Sequence, residues 1–306
     1  MSTIQTIIPI FAIILLGVLA RQKGFITRPF LEPANRLVYY LAIPAMIFRA
    51  ISSSSLSSEL NLKVVIATLL CLPAAFILAW VLNRLMGNTG GRSGTFIQCA
   101  FHGNLGYIGL AVTFYYLGDS GLIKGSIIAG LIMIVQNFLG VLALQLFAEQ
   151  DRDGSRIKQF VGRVLINPVI LSALLGIMYA AFKLPLPIIL DRSLKILSGL
   201  ALPMALLLIG ASLSFSLVKT QLSNALASSF AKLMVLPALG LLAYRYLGLS
   251  SQDYLPGLIL LAAPPATLTY VFAKEMHGDA ELAVATVSVG TMLSGITYAA
   301  WLHWAG

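Results

Sequence analysis

The chain is built from apolar runs that are each about as long as a bilayer is thick. Ten can be read, near 4–20, 34–51, 64–82, 95–117, 122–147, 164–182, 193–213, 228–248, 255–273 and 282–302, and about 20 helical residues span a hydrocarbon core. All 11 Asp and Glu residues lie at or beyond the ends of these runs. Only 10% of the residues are charged and 58% are hydrophobic, whereas soluble domains carry about 25% charge. The expected fold class is therefore an all-α integral membrane protein. Cys71 and Cys99 sit inside apolar runs and read as packing residues rather than a bridge or a metal site.

The formal net charge is +9. The basic residues stand singly at run ends, which suits lipid headgroups and orientation better than nucleic acid. Ile4 opens the first run with no basic residue before it, and Arg21 and Lys23 follow it, so this segment reads as a mature span rather than a signal peptide. Connections after odd-numbered runs carry Arg21, Lys23, Arg28, Arg84, Arg92, Arg152, Arg156, Lys158, Arg163, Lys219 and Lys274. Those after even-numbered runs carry Lys63, Lys124, Lys183, Arg192, Lys195 and Arg245. The positive-inside rule then places the odd connections in the cytoplasm and both termini outside a plasma or inner membrane.

The second half of the chain echoes the first. Pro9, Leu15, Leu16 and Gly17 recur as Pro168, Leu174, Leu175 and Gly176, an offset of 159 residues. Glu32, Arg36, Ala42 and Pro44 meet Asp191, Lys195, Ala201 and Pro203 at the same offset. Gly118-Asp119 meets Gly278-Asp279 one residue further on. With five spans in each copy, the second must enter the bilayer from the opposite face. The expected organisation is a first repeat over 1–150, a short cytoplasmic connection over 151–163, and an inverted second repeat over 164–306. Inverted repeats are a recurring plan of secondary transporters, whose substrates sit near the midplane among broken helices.

Two runs carry the marks of such breaks. The fourth holds Gly94, Gly103, Gly106 and Gly109 together with Gln98, His102 and Asn104, and the ninth holds Pro264-Pro265. Asn104 falls opposite Pro264 at an offset of 160. Irregular backbone at membrane depth is tolerated only inside protein or along a wet cavity, although a plain proline kink fits the same residues. Gln136 and Asn137 in the fifth run suit either helix-to-helix bonding or substrate contact. His102 reads as a packed residue, with a proton relay as the sharper option. Arg49, whose repeat mate is Leu208, either snorkels to headgroups or attracts anions at an outer mouth. The eighth run is the least secure, because Lys232 lies within it.

Several segments are similar to those of the auxin efflux carrier family, which includes the plant PIN proteins and short prokaryotic transporters. They are Asn35-Arg36 followed by Ala42-Ile43-Pro44, Asn104 with Gly118, Gln136 thirteen residues before Glu149, and Val271-Phe272-Ala273-Lys274-Glu275. The resemblance covers all ten runs. It implies ten helices in two inverted five-helix repeats, with helices four and nine broken and crossing. It also implies elevator-type export or exchange of a small organic anion such as auxin, malonate or malate. The substrate-binding set it suggests is Asn104, Gln136, Gly103, Gly106, Ile43, Pro44, Pro264, Pro265, Thr267 and Thr269. The plant carriers place a proline in each crossover where this chain has Ala111 and Thr269, and the short Glu149–Arg163 connection replaces their long loop. A bare prokaryotic-type carrier is the expectation.

The implied partners are a small organic anion and the bilayer, with a homodimer kept as an option and no nucleic acid, metal or cofactor. An anion channel is the nearest rival. An intramembrane serine protease would use Ser93, in Gly91-Arg92-Ser93-Gly94, with His303 as base. That pair must lie within hydrogen-bond reach, and the expected topology separates it by about 30 Å of bilayer.

Overall fold

A computed structural model of the chain describes residues 3–53, 61–147 and 167–305. The expected connection at 151–163 lies outside the described residues. Helices account for nearly all of the rest, with no strand among the described residues. They are α1 (Thr3–Gln22), α2 (Arg28–Leu37), α3 (Ile43–Ser52), α4 (Leu62–Leu85), α5 (Gly90–Cys99), α6 (Leu110–Leu146) and α7 (Pro168–Ala181). The second half continues with α8 (Ile188–Ser198), α9 (Ala201–Ser212), α10 (Phe215–Phe230), α11 (Leu236–Tyr246), α12 (Ser251–Leu261), α13 (Leu268–Glu275) and α14 (Ala280–Ala305).

Six apolar helical stretches among the described residues are long enough to cross a membrane: Gln5–Gln22, Leu62–Leu85, Leu105–Leu146, Ile188–Ser212, Phe215–Tyr246 and Ala280–Ala305. The remaining apolar runs are shorter or interrupted, and each interruption has a local cause. Gly118 stands at φ 71°, ψ −159° inside α6, a conformation open to glycine, so the rod is divided there. This is where the fourth and fifth runs part. One-turn π-helical segments join α2 to α3 (Val38–Ala42), lead into α6 (Leu105–Gly109) and join α10 to α11 (Ala231–Val235). Such extra-residue bulges re-aim side chains and gather at functional sites. Helix starts follow ordinary capping chemistry. Asn167 Oδ1 accepts the Val169 N–H at 2.9 Å, with Pro168 at the first helical position of α7.

Two helix pairs form the closest packing between the halves of the chain. Helix α1 packs along α9, and α3 packs along α7. A side chain added at Gly17 would strike the Leu207 carbonyl, and one added at Gly176 would meet Ile51 and, at 3.3 Å, the Phe48 carbonyl. Phe48 and Leu207 are themselves 159 residues apart. On the other side of the same helices, Leu15 and Leu16 are 58% and 50% exposed, and Leu174 and Leu175 are 56% and 50% exposed. Paired glycines thus face paired backbones, while paired leucines turn outward as a lipid-facing surface does.

Candidate functional site

The first break runs from Ala100 to Asn104, between α5 and the π-helical segment that leads into α6. The second runs from Ala262 to Thr267, between α12 and α13. The two lie against each other. Asn104 N–H donates to the Pro264 carbonyl at 2.7 Å, and Ala266 N–H donates to the His102 carbonyl at 2.9 Å. Gly103 and Pro265 thereby form an isolated antiparallel bridge. Backbone that has left its helix must find partners elsewhere when buried; here each break supplies the other. Gly290 stands behind Pro265, where a Cβ would overlap the proline ring.

Gln136 closes the first break. Its Oε1 accepts the Gly103 N–H at 3.0 Å, and its Nε2 donates to the Gly103 carbonyl at 3.2 Å. Both ends of the amide are engaged on one residue. Asn104 Oδ1 accepts the Tyr107 N–H at 3.3 Å and so caps the following segment. The same segment is tied to α2, since the Tyr107 hydroxyl donates to Asn35 Oδ1 at 3.1 Å.

A cavity of about 900 Å³ opens onto this crossing. Its outer rim carries Arg28, Arg36 and Lys274 beside Glu32 and Glu275, all exposed, with Arg21 half-buried. Four basic groups against two acidic ones favour anions. Inward, the charges give way to buried amides and an imidazole. Asn104 Nδ2, Asn137 Oδ1 and His102 Nε2 have no hydrogen-bond partner, and all three residues line the cavity. Buried polar groups without partners are few in folded proteins, and a ligand or ordered water would satisfy these. Helix α13 starts at the cavity with no side-chain cap, which brings the positive end of its dipole to the same space.

Six of the ten residues expected to bind substrate line the cavity: Asn104, Gln136, Gly103, Gly106, Ile43 and Thr267. Pro44, Pro264, Pro265 and Thr269 are absent from its wall. The two prolines shape the second break from behind, and Thr269 turns its hydroxyl back to the Ala266 carbonyl at 2.7 Å. Arg49 is also outside the cavity, in an ion pair with Asp191 Oδ1 at 2.8 Å. Ala111 is fully buried. Ser93 is buried with no partner for its hydroxyl, while His303 is exposed in the last turn of α14. Cys71 and Cys99 are both buried and free. Among the described residues no three His, Cys, Asp or Glu side chains gather as metal ligands.

The sequence did not single out Tyr39, Tyr107 or Asn167, which also line the cavity. An Asn-Pro pair at a helix start was the available signal for Asn167. Lys232, noted only as an obstacle to a span, proves fully buried beside the crossing.

Comparison with known proteins finds relatives named as transporters. An "Uncharacterized transporter" of Methanothermobacter thermautotrophicus is 24% identical over 98% of both chains, and another, of Methanocaldococcus jannaschii, is 24% identical over the same shares. A Rhizobium meliloti protein named "Putative malonate transporter" is 25% identical over 97% of this chain and 94% of its own length. The family model described as "Membrane transport protein" matches residues 2–302. The chain therefore belongs to this family of membrane transport proteins, the auxin efflux carrier family, and is a multi-pass membrane protein.

Proposed function

We propose that the chain carries a small organic anion of the carboxylate class across the membrane by alternating access. The observation that supports this most directly is the cavity itself, whose basic rim narrows onto unpartnered polar groups at two broken helices. A carboxylate fits there. Asn104 Nδ2 offers a donor and the start of α13 offers a partial positive charge, while Arg36 and Lys274 raise anion concentration at the rim. The name of the Rhizobium meliloti relative makes malonate the first substrate to try.

In this reading the ten runs are ten spans in two inverted five-helix repeats. The matched glycine contacts and lipid-facing leucines support that, as does the reciprocal packing of α1 on α9 and α7 on α3. The cavity rim comes from the connections after the first and ninth spans, which the positive-inside rule assigns to the cytoplasm. The conformation is then inward-open. Transport follows an elevator movement in which the crossed breaks travel together, since their backbones are bonded to each other.

Solid-supported-membrane recording on proteoliposomes tests the proposal with malonate, malate and monocarboxylates. A saturable current or counterflow for one carboxylate class is the expected result. No signal for any carboxylate would withdraw the anion assignment, and single-channel currents would replace the carrier with a channel.

A further inference from the structure

Lys232 is fully buried near the middle of the helical stretch Phe215–Tyr246 and pairs with no carboxylate among the described residues. Its side chain is aimed with care. The π-helical segment Ala231–Val235 shifts the register of the stretch at this residue, and Trp301 Nε1 donates to the Leu233 carbonyl of that bulge at 2.7 Å. From there the Lys232 amino group donates to the Leu261 carbonyl at 2.6 Å, at the C-terminal end of α12. It also lies against the other break: a Cβ on Gly103 would stand 3.3 Å from Lys232 Nζ and 3.2 Å from Cε.

The last four carbonyls of α12 can be accounted for one by one. Leu258 accepts the Ala262 N–H, Leu260 accepts the Ala263 N–H, and Ile259 accepts the Tyr298 hydroxyl at 3.0 Å. Leu261 accepts only the lysine among the partners described. A half-helix that ends inside a membrane presents the negative end of its dipole to a medium that cannot screen it. Bare carbonyls at such an end are the ligands that a small monovalent cation takes in transporters built on broken helices.

We propose that Lys232 is a built-in cation. Its amino group is tethered where a free alkali cation would otherwise have to sit, between the end of α12 and Gly103. The crossing is thus held together without recruiting an ion from solution. Removing the side chain should create a monovalent-cation site in its place. The transport consequence, independence from sodium, rests on the carrier reading above; the stability consequence does not.

Thermal unfolding of the purified full-length chain tests it without any substrate, so its failure is separable from failure of the carboxylate assignment. At constant ionic strength the wild-type midpoint should be the same in sodium, potassium and N-methylglucamine chlorides. Lys232→Ala should melt about 5 °C lower in N-methylglucamine, as a buried carbonyl loses its donor. Methylammonium or a small alkali cation should restore that loss saturably. Lys232→Met, which fills the space without charge, should melt lower and respond to no cation. Saturable sodium stabilisation of the wild type would overturn the proposal. So would a Lys232→Ala protein as stable as wild type, one that no cation restores, or one recoverable in none of these salts.

Discussion

The two breaks occupy matching places in the two halves of the chain, yet they are made and held by different chemistry. In the first, glycine relaxes the helix and a side-chain amide from α6 grips the loosened residue, with Gln136 taking both the N–H and the carbonyl of Gly103. In the second, Pro264 and Pro265 remove the N–H donors that would continue the helix. A lysine from the α10–α11 stretch then caps the end of α12. The backbones meet as near equals in one short antiparallel bridge. On the proposed inverted repeat, symmetry constrains where the chain breaks and leaves open how each break is stabilised. Among the cavity-lining residues, the side-chain atoms left unpartnered belong to the glycine side and its α6 neighbour: His102, Asn104 and Asn137. The proline side contributes shape and the start of α13.

Removing the amide grip should break this comparison most severely. Gln136→Leu strands the buried Gly103 N–H, at about 1–3 kcal/mol for an unsatisfied group, while the Gly103 carbonyl keeps the Leu105 N–H at 3.0 Å. We expect loss of transport by at least about 100-fold and a large drop in melting midpoint. Gln136→Glu retains one acceptor for the Gly103 N–H and should fall between the two. If Gln136→Leu folds and transports normally, the grip is not what holds the first break. Next in size is Gly290→Val, which drives a branched side chain into the ring of Pro265. The expected cost is about 1–3 kcal/mol of overpacking, with uptake reduced more than stability because the displaced proline belongs to the bridge. Equal losses in both would place the damage in general packing.

Asn104→Ala should have a smaller and more selective effect. It removes the cap on the Tyr107 N–H, worth about 1 kcal/mol, and the Nδ2 donor that has no partner inside the protein. We expect substrate affinity to weaken about tenfold, while Asn104→Asp keeps the cap and repels an anion. Binding to the purified protein, measured by calorimetry, separates the two contributions. Unchanged affinity in Asn104→Ala would exclude the residue from the site.

Much of this was legible in the residues because membrane helices leave strong marks. Proline, glycine and isolated amides in apolar runs flagged both breaks, and the repeat offset set Asn104 opposite Pro264, which the backbone bond now joins. What could not be read was direction. Gln136 and Asn137 are neighbours in sequence, yet one is fully committed to Gly103 while the other keeps an unpartnered oxygen. Helical phase around a kinked α6 decides that, and no local pattern encodes it. Lys232 was misjudged for a related reason. An apolar run with a lysine looks like a weaker span until a partner carbonyl from another helix is known, and Leu261 lies 29 positions away.

The smallest predicted effect concerns the Arg49–Asp191 ion pair, which lies outside the cavity wall. Glu32 and Leu208 line the open cavity, and their repeat mates are Asp191 and Arg49. Those mates instead form an ion pair, with side chains 34% and 33% exposed. If the two halves exchange roles during transport, the Arg49–Asp191 pair helps to close the side that opens in the other conformation. A partly exposed pair is worth only about 0.5 kcal/mol, so Arg49→Gln should shift the balance by about twofold toward that other conformation. The readout is labelling of a cysteine introduced by Leu208→Cys, in a background lacking Cys71 and Cys99. A membrane-impermeant thiol reagent applied from the cavity side should react more slowly, at most about twofold, when Arg49→Gln is added. An unchanged rate would reduce the pair to a surface contact. A faster rate would mean that it opposes the conformation seen here.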